Sequence, residues 1–393
     1  MDTIEIVEKN ECSGCSACSQ KCPKNAIVMI ENEEGFLYPS IDKDKCINCG
    51  LCSKVCPQLK KVEATGSEYP KAYAMYNKNS NELKKSSSGG IFSAIANYVF
   101  ENKGIVFGAA YNDNLDVNHI KAENEDELSL LRSSKYVQSN INNTYKDVEK
   151  NLKDDRMVFF TGTPCQVAGL KSFLVKEYDN LITCDLVCHG VPSQKLFHKY
   201  IDYLSNKYKS KVISYNFRSK EKYGWGLYAE VKTKDGKIRL IKPDFDPYYS
   251  NFLESNTYRE NCYKCHYTNY NRVSNITLAD YWGISSIHPD FYSEEGRSLI
   301  LVNNDKGKEV IEKIKERIEL IETDIDIAAN RNKNLIQPSY RSVKRNEIYQ
   351  GISDLNSIEY VKERLTIKKS VKKYIKAIIP VKVQIFLKKC NKR

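Results

Sequence analysis

Short apolar runs alternate with longer mixed segments over most of the chain, and this alternation predicts strands and helices in turn. Runs typical of strands lie at residues 72–76, 104–110, 157–160, 181–187 and 298–302. Helix-like segments lie at residues 91–100, from residue 166 onward, and at 306–320. Residues 157–187 therefore form a predicted βαβ unit, and Asp235-Gly236 between alternating apolar runs indicates a hairpin. We expect an α/β domain over residues 71–345.

The first 62 residues follow a different pattern, in which two cysteine-rich loops flank two short strand-like runs at residues 26–30 and 35–39. The cysteines of each loop are spaced C-x2-C-x2-C-x3-C, and a proline follows each set: Cys12, Cys15, Cys18, Cys22 and then Cys46, Cys49, Cys52, Cys56. This is the spacing of bacterial ferredoxins that carry two 4Fe–4S clusters. We therefore predict an α+β ferredoxin-like domain over residues 1–62, with polar residues 58–70 as a linker.

The spacing also predicts which thiolates share a cluster. Three thiolates within one tight loop cover three corners of a cubane, and the fourth cysteine of each set reaches across to the other cluster. One cluster is expected on Cys12, Cys15, Cys18 and Cys56, and the other on Cys46, Cys49, Cys52 and Cys22. The alternative is a pair of structural zinc sites, but zinc needs four ligands and has no use for a third cysteine in each loop.

Five further cysteines lie in the central domain. Cys165 and Cys188 follow two predicted parallel strands, where open α/β sheets usually bind ligands, and Cys262 and Cys265 form a separate C-x2-C pair. Four of the five could hold a further cluster, and Cys184, inside a strand, is the one left out. Spacing alone leaves open that Cys165 and Cys188 are simply buried and that the C-x2-C pair binds zinc or nothing.

The positive charge of the chain is concentrated at its C-terminal end. The net charge is +11, and residues 361–393 hold twelve Lys and Arg with one acid, so the other 360 residues carry 49 basic and 49 acidic side chains. Within a predicted basic helical tail, residues 346–393, the apolar side chains of residues 371–379 form one helical stripe. This composition is typical of a helix on anionic lipid, and docking on the body or a partner is the alternative. The electrically neutral body gives no reason to expect nucleic-acid binding.

The beginning of the chain is acidic rather than basic and apolar, and no run approaches the roughly 18 apolar residues that a spanning helix needs. We therefore expect a cytoplasmic protein, with peripheral contact at the inner face of the membrane through the tail. In a reducing compartment the cysteines are expected to bind metal rather than to form disulfides.

Two loops of the central domain have the composition of anion sites. Ser86-Ser-Ser-Gly-Gly and Thr161-Gly-Thr-Pro each place hydroxyls and glycines at a predicted helix start, where free N–H groups and the helix dipole favour phosphate. Ordinary N-capping by Ser or Thr is the alternative for each loop. Neither loop matches the Walker or the G-x-G-x-x-G pattern, which disfavours ATP and a standard dinucleotide fold.

Several motifs in a fixed order resemble the beta subunit family of coenzyme F-420 hydrogenases and dehydrogenases. They are Ser86-Ser-Ser-Gly-Gly-Ile-Phe-Ser-Ala, Ser134-Lys-Tyr-Val-Gln-Ser, Thr161-Gly-Thr-Pro-Cys-Gln, Asp185-Leu-Val-Cys-His-Gly, Phe217-Arg-Ser-Lys, Cys262-Tyr-Lys-Cys and Thr277-Leu-Ala-Asp-Tyr-Trp-Gly. The resemblance spans most of residues 1–305. The sequence departs from the family pattern at Asn275 and Ala279, which leaves the substrate side of the pocket undefined.

The resemblance implies an iron–sulfur flavoprotein. It implies FAD in an α/β flavin-binding domain beside a third 4Fe–4S cluster held by Cys165, Cys188, Cys262 and Cys265. The residues implied to surround the flavin are Ser87, Ser88, Gly89, Gly90, Lys135, Tyr136, Gln138, Gly162, Thr163 and His189. Without the resemblance, Lys135 would be read as a solvated lysine and His189 as a loop histidine.

Clusters move single electrons, organic substrates usually take two, and a flavin accepts both modes. The sequence therefore favours an oxidoreductase that passes electrons from a ferredoxin-type redox partner through the clusters to FAD and on to an organic acceptor, or the reverse. The alternatives are an electron-relay subunit without substrate chemistry, and a regulatory or scaffolding protein at the membrane. Phe217-Arg-Ser-Lys, Trp225 and Arg272 suggest a pocket for an anionic aromatic or phosphorylated substrate. The catalytic residues stay unassigned.

Overall fold

The computed structural model describes residues 6–60, 62 and 70–367. Its helices are α1 Ala17–Lys21, α2 Leu51–Lys54, α3 Ser80–Lys85, α4 Ile91–Glu101, α5 Glu125–Leu131, α6 Thr144–Lys153, α7 Pro164–Leu174, α8 Gln194–Tyr208, α9 Pro247–Leu253, α10 Ile284–Ile287, α11 Asp305–Lys313, α12 Ile325–Ala329, α13 Lys344–Tyr349 and α14 Ser357–Tyr360. A π-helical turn, Val361–Leu365, continues α14. Within the described residues, no helix is long and apolar enough to cross a membrane.

The strands form three sheets. They are β1 Ile27–Glu31, β2 Leu37–Ile41, β3 Lys71–Asn77, β4 Ile105–Tyr111, β5 Val117–Ala122, β6 Val158–Gly162, β7 Leu181–Leu186, β8 Val212–Asn216, β9 Ala229–Thr233, β10 Ile238–Ile241, β11 Ile276–Asp280, β12 Ser298–Val302 and β13 Ile318–Thr323. The two-stranded sheet β1–β2 belongs to the N-terminal unit, which we define as residues 6–60. The other two sheets, in the orders β10-β9-β8 and β13-β3-β12-β11-β7-β6-β4-β5, lie in the main body, which we define as residues 70–367.

The large sheet is mixed, with a parallel centre and antiparallel flanks. Strands β4, β6, β7 and β11 run parallel, whereas β5, β12, β3 and β13 are joined by antiparallel pairings. The central strands are almost wholly apolar because helices cover both faces, with α4 on one side and α7 on the other. The fold is thus α/β as predicted, and the βαβ unit β6-α7-β7 and the hairpin β9-β10 are confirmed.

Two segments differ from the expectation. The helix predicted over residues 306–320 ends at Lys313, and residues 318–323 form the edge strand β13 instead, because this segment pairs with β3. Residues 346–365, predicted to begin a basic amphipathic helical tail, pack against the main body, where Ile348, Tyr349 and Tyr360 are buried. The predicted amphipathic stripe at residues 371–379 lies outside the described residues.

Candidate functional site

Four thiols of the N-terminal unit surround one cavity, which we call the proximal site. Cys12, Cys15, Cys18 and Cys56 line it together with Pro39 and Pro57. Cys12 and Cys15 reach it from a tight loop in which Gly14 and Ser16 take left-handed backbone angles of +69° and +63°. Cys18 lies in α1, and Cys56 follows α2. The structure therefore brings together the first predicted set of four.

The electrostatics of the proximal site suit a positively charged core. Burial raises the pKa of Cys18 to about 12, and the neighbouring Cys12 and Cys56 raise it further. Burial also raises the pKa of Cys15, with the same neighbours contributing. Among the described residues, no three His, Cys, Asp or Glu side chains gather closely enough to hold a single metal ion. The four thiols instead line one common cavity.

We call the second predicted set, Cys22, Cys46, Cys49 and Cys52, the distal site. Cys22 ends α1 and Cys52 lies in α2, and these two helices pack against each other. The Cys22 Sγ accepts a hydrogen bond from the backbone N–H of Ala26 at 3.3 Å. Cys49 is exposed, whereas Cys12, Cys15 and Cys56 are buried. The distal site therefore lies at the surface and the proximal site faces the main body.

Cysteines from three segments of the main body converge on what we call the third site. Cys165 lies in the first turn of α7, Cys188 follows β7, and Cys262 and Cys265 lie in and after a short 3-10 helix. Burial raises the pKa of Cys188, and the charges of the other three thiols raise it further. Because β6 and β7 are adjacent parallel strands, Cys165 and Cys188 meet at one sheet edge.

Cys184 lies apart from the third site. It is buried within β7, and its side chain packs into the apolar cluster around α4 on the other face of the sheet. Successive side chains of a strand point to opposite faces. Asp185, the next residue, is accordingly near Cys265 on the α7 side. The prediction that left Cys184 out of the ligand set agrees with this position.

A buried ion pair ties together the two loops on either side of the third site. The Arg272 guanidinium lies 3.1 Å from the Asp185 carboxylate, and both side chains are at most 1 % exposed. Arg272 also donates to the carbonyls of Leu186, at 3.0 Å, and Tyr267, at 2.6 Å. Leu186 precedes Cys188 by two residues and Tyr267 follows Cys265 by two. Arg272 is thus committed to the protein interior rather than to a substrate pocket.

Two tyrosines and a glycine separate the proximal site from the third site. Cys15, Cys56, Cys165 and Cys265 all lie close enough to Tyr267 for their charges, after burial, to raise its pKa. The Tyr267 hydroxyl donates to the Pro57 carbonyl at 3.4 Å. Tyr145 is flanked by Cys15 and Cys165 in the same way. At Gly169 of α7, a Cβ would lie 2.9 Å from the Cys15 Cβ and 2.8 Å from the Tyr145 Oη. The two sites are therefore near neighbours.

The predicted flavin residues fall into two groups, and the first surrounds the start of α4. Ser88 donates to the Arg297 carbonyl, and the Gly89 N–H donates to Ser298 Oγ. Ser87 Oγ accepts from the Ser134 N–H. Gly90, in the left-handed region at φ +77°, starts the helix without any side-chain cap.

Lys135 and Tyr136 lie beside the same loop. The Lys135 ammonium donates to the Leu130 and Arg132 carbonyls, and burial lowers its pKa to about 7. Tyr136 stacks on Phe252 with ring centroids 4.3 Å apart, and its hydroxyl accepts from Arg218. Lys135 is therefore not the solvated lysine that its residue type alone suggests.

The second group of predicted flavin residues lies nearer the cysteines. Thr163 is the N-cap of α7 in a reciprocal capping box with Gln166, and its hydroxyl is 3.2 Å from the Cys165 Sγ. Gly162 precedes this cap at the end of β6, and the Gln138 side chain donates to the Ser13 carbonyl at 3.0 Å. His189 is exposed next to Cys188. Within the Thr161-Gly-Thr-Pro loop, Thr163 thus caps α7, whereas the Thr161 hydroxyl donates to the Phe107 carbonyl.

Sequence reasoning missed a buried polar cluster that joins three segments beside the start of α4. Arg218 and Asp280 form a bidentate ion pair, at 2.6 and 2.9 Å, and Trp225 Nε1 donates to the same carboxylate. Trp225 stacks on Trp282 with centroids 5.0 Å apart and planes 3° from parallel. The Arg218 guanidinium is therefore bound to Asp280 and is not free to bind a substrate. The sequence predicted Arg218 and Trp225 as pocket residues but did not indicate that both bind Asp280.

Comparison with known proteins supports the clusters on the N-terminal cysteines. Residues 155–327 match the family model that describes the C terminus of the coenzyme F420 hydrogenase/dehydrogenase beta subunit. Residues 11–59 and 38–89 match two models described as 4Fe-4S dicluster domain. The protein is therefore an iron–sulfur electron-transfer protein of the oxidoreductase class, with 4Fe–4S clusters on its N-terminal cysteines. This match confirms the resemblance to the coenzyme F420 hydrogenase/dehydrogenase beta subunit family found in the sequence.

A solved structure gives a weaker likeness. A chain of the F420-reducing NiFe hydrogenase complex from Methanosarcina barkeri is 16% identical, with a TM-score of 0.44, over 68% of this chain and 91% of that chain. This likeness is too slight to support an argument. Among curated proteins, none matches the sequence.

Proposed function

We propose that this protein is an iron–sulfur flavoprotein that conducts single electrons from the distal site through the proximal and third sites to FAD, and from there to an organic acceptor, or in reverse. The observation that supports this most is the position of the third site. Four cysteines distant in sequence converge beside the proximal site, and Tyr145 and Tyr267 lie near cysteines of both sites. Such a row of thiol sets fits conduction better than it fits separate structural metal sites.

The donor sets fit the groups proposed for them. Ionising these thiols is unfavourable because burial removes the thiolates from water and because the neighbouring thiolates repel one another. A cationic iron core would offset both the desolvation and the repulsion. Bound there, the clusters would supply one-electron transfer and the flavin would pair the electrons. The chain holds the third set in place through the Arg272 clamp on the Leu186 and Tyr267 carbonyls.

The start of α4 suits the pyrophosphate of FAD. Ile91 and Ser93 of its first turn are buried, and Gly90 supplies no side-chain cap, so the first N–H groups of the helix favour an anion. Lys220, which donates to the Ser88 carbonyl, adds positive charge at the loop. The Trp225–Trp282 stack and Tyr136 offer aromatic surface for the rings. Trp225, Asp280 and Arg218 would orient the bound molecule rather than react with it.

Iron and flavin contents test the proposal. Protein reconstituted anaerobically should contain about twelve iron atoms per chain, for three 4Fe–4S clusters, and one FAD. The variant Cys165→Ser should lose about four iron atoms. The matched control Cys184→Ser, at a buried thiol outside the third site, should keep them all. About eight iron atoms in the unmodified protein, or equal iron in both variants, would overturn the third site.

The hydrogen bonds of the serine loop at residues 86–88 also fit the electron-relay alternative. The hydroxyls of Ser86, Ser87 and Ser88 all bond to other parts of the protein, so the loop can be satisfied without a ligand. A relay protein would contain about twelve iron atoms but no flavin, and it would reduce no small molecule by itself. In either case, the exposed distal site is where we place the contact with a separate redox protein.

A further inference from the structure

The side chain of Arg259 lies inside the junction between the N-terminal unit and the main body. It is 1 % exposed. Its Nε donates to the Cys12 carbonyl at 2.7 Å, its Nη2 to the Leu37 carbonyl at 2.9 Å, and its Nη1 to Gln138 Oε1 at 3.2 Å. The guanidinium also lies over the Tyr38 ring, 4.1 Å from its centroid. All of these partners are neutral.

The absence of a carboxylate distinguishes this arginine from most other buried arginines of the described chain; Arg297, which is 8 % exposed and donates to the Phe291 and Gly296 carbonyls, is the other exception. Four other almost wholly buried arginines each form an ion pair: Arg132 with Glu82, Arg218 with Asp280, Arg272 with Asp185, and Arg345 with Glu34. Within the described part of the chain, no carboxylate oxygen lies within 4.0 Å of Arg259. A buried charge without a counterion is costly. The guanidinium therefore needs an anion that the side chains do not provide.

The proximal and third sites are the groups that can provide this negative charge. At Gly14, between Cys12 and Cys15, a Cβ would lie 2.9 Å from the Arg259 Nη1. On the other side, the Arg259 carbonyl accepts from the Cys262 N–H, and its N–H donates to the Val191 carbonyl, three residues after Cys188. Burial raises the pKa of the Cys165 thiol, and the positive charge of Arg259 is among the effects that oppose this rise. One cation thus faces both thiol sets.

We propose that Arg259 is the shared internal counterion of the proximal and third clusters, and that it raises their reduction potentials relative to that of the distal cluster. The proposal rests on the proposed function for its third-site half only. A cubane with four thiolates is an anion that gains one more negative charge on reduction, so a nearby cation favours its reduced form. Each inward transfer then oxidises the distal cluster by one electron and reduces the proximal cluster by one. No bond is made or broken, and an external one-electron donor protein restores the distal cluster.

Redox titration of the full-length, anaerobically reconstituted protein, followed by electron paramagnetic resonance, tests this role. In Arg259→Gln, the equilibrium constant for reduction should fall on the order of tenfold at each of the two inner clusters, a downward shift of about 59 mV. The distal cluster is the internal reference and should not shift. Arg259→Lys keeps the charge and should stay within about threefold of the unmodified protein. Arg317→Gln, at a surface ion pair with Glu101, is the matched control and should change no potential.

The outcomes separate a tuning role from a structural one. An Arg259→Gln protein with full iron and unchanged inner potentials would overturn the proposal. If Arg259→Gln loses iron from the inner sites, the Arg259→Lys variant distinguishes the two roles. An Arg259→Lys protein with full iron and near-normal potentials would support the counterion role. An Arg259→Lys protein that loses as much iron as Arg259→Gln would overturn it and show that the bonds to the Cys12 and Leu37 carbonyls matter instead. An unmodified protein with about eight iron atoms would reject the third site, yet the shift at the proximal cluster would still test Arg259.

Discussion

Replacing Arg272 by methionine tests how the third site is held together. The substitution removes the guanidinium that pairs with Asp185, whose carboxylate oxygens have no hydrogen-bond partner in the described structure besides this ion pair. Breaking a buried pair from one side costs about 3–5 kcal/mol, because the remaining charge stays buried. The Leu186 and Tyr267 carbonyls lose a charged donor at the same time. A typical protein has about 5–15 kcal/mol of total stability, so we expect severe destabilisation.

Urea unfolding under anaerobic conditions, followed by the fluorescence of Trp225 and Trp282, measures this loss. The double variant Arg272→Met with Asp185→Asn removes both charges and should recover at least about 2 kcal/mol, since the uncompensated carboxylate is gone. The matched control Arg156→Met breaks a partly exposed pair with Glu123 and should cost about 1 kcal/mol or less. An Arg272→Met protein as stable as this control, or a double variant no better than the single one, would refute the reasoning.

Three further substitutions test the local geometry. Gly169→Ala should gain about 1 kcal/mol of helix propensity but lose about 1–3 kcal/mol of stability, because the new methyl group would overlap Cys15. A stabilised variant with full iron would contradict this close packing. Burial lowers the pKa of Lys135 to about 7, so above that pH the unfolded chain binds more protons and stability rises with pH, by up to about 1.4 kcal/mol per unit. Lys135→Met should lose this slope in urea titrations between pH 7 and 9, and an identical slope would be inconsistent with a lowered pKa of Lys135 in the folded protein. Thr163→Ala should cost about 1 kcal/mol and Thr163→Ser much less, whereas equal losses would argue against the cap.

The sequence could predict the two N-terminal cysteine sets from their spacing, whereas the complete third set followed only from the family resemblance. Two sets of four follow a repeated local motif, and the third set includes Cys165 and Cys188, which follow predicted adjacent parallel strands. A pattern of this kind also predicts β6, α7 and β7. Local apolar patterns are sufficient here because each central strand is buried on both faces.

The parts that could not be predicted depend on pairing between distant segments. β13 reads as the end of a charged helix, and it becomes a strand only because β3 offers an open edge. Arg272 and Arg218 look like loop arginines, since the sequence does not indicate that Asp185 and Asp280 lie opposite them. Tyr349 and Tyr360 similarly belong to the core only because α8 and β8 form a surface that accepts them. Tertiary contacts decide each of these cases.

The ion pair between Glu34 of the N-terminal unit and Arg345 of α13 also determines how the molecule responds to ionic strength. The Arg345 side chain is 2 % exposed and bonds both carboxylate oxygens, at 2.5 and 2.6 Å. Salt screens exposed charges over roughly 8–10 Å but reaches buried pairs much less. Concentrated sodium chloride should therefore strip a loosely bound redox protein from the exposed distal face while leaving the two units of this chain joined.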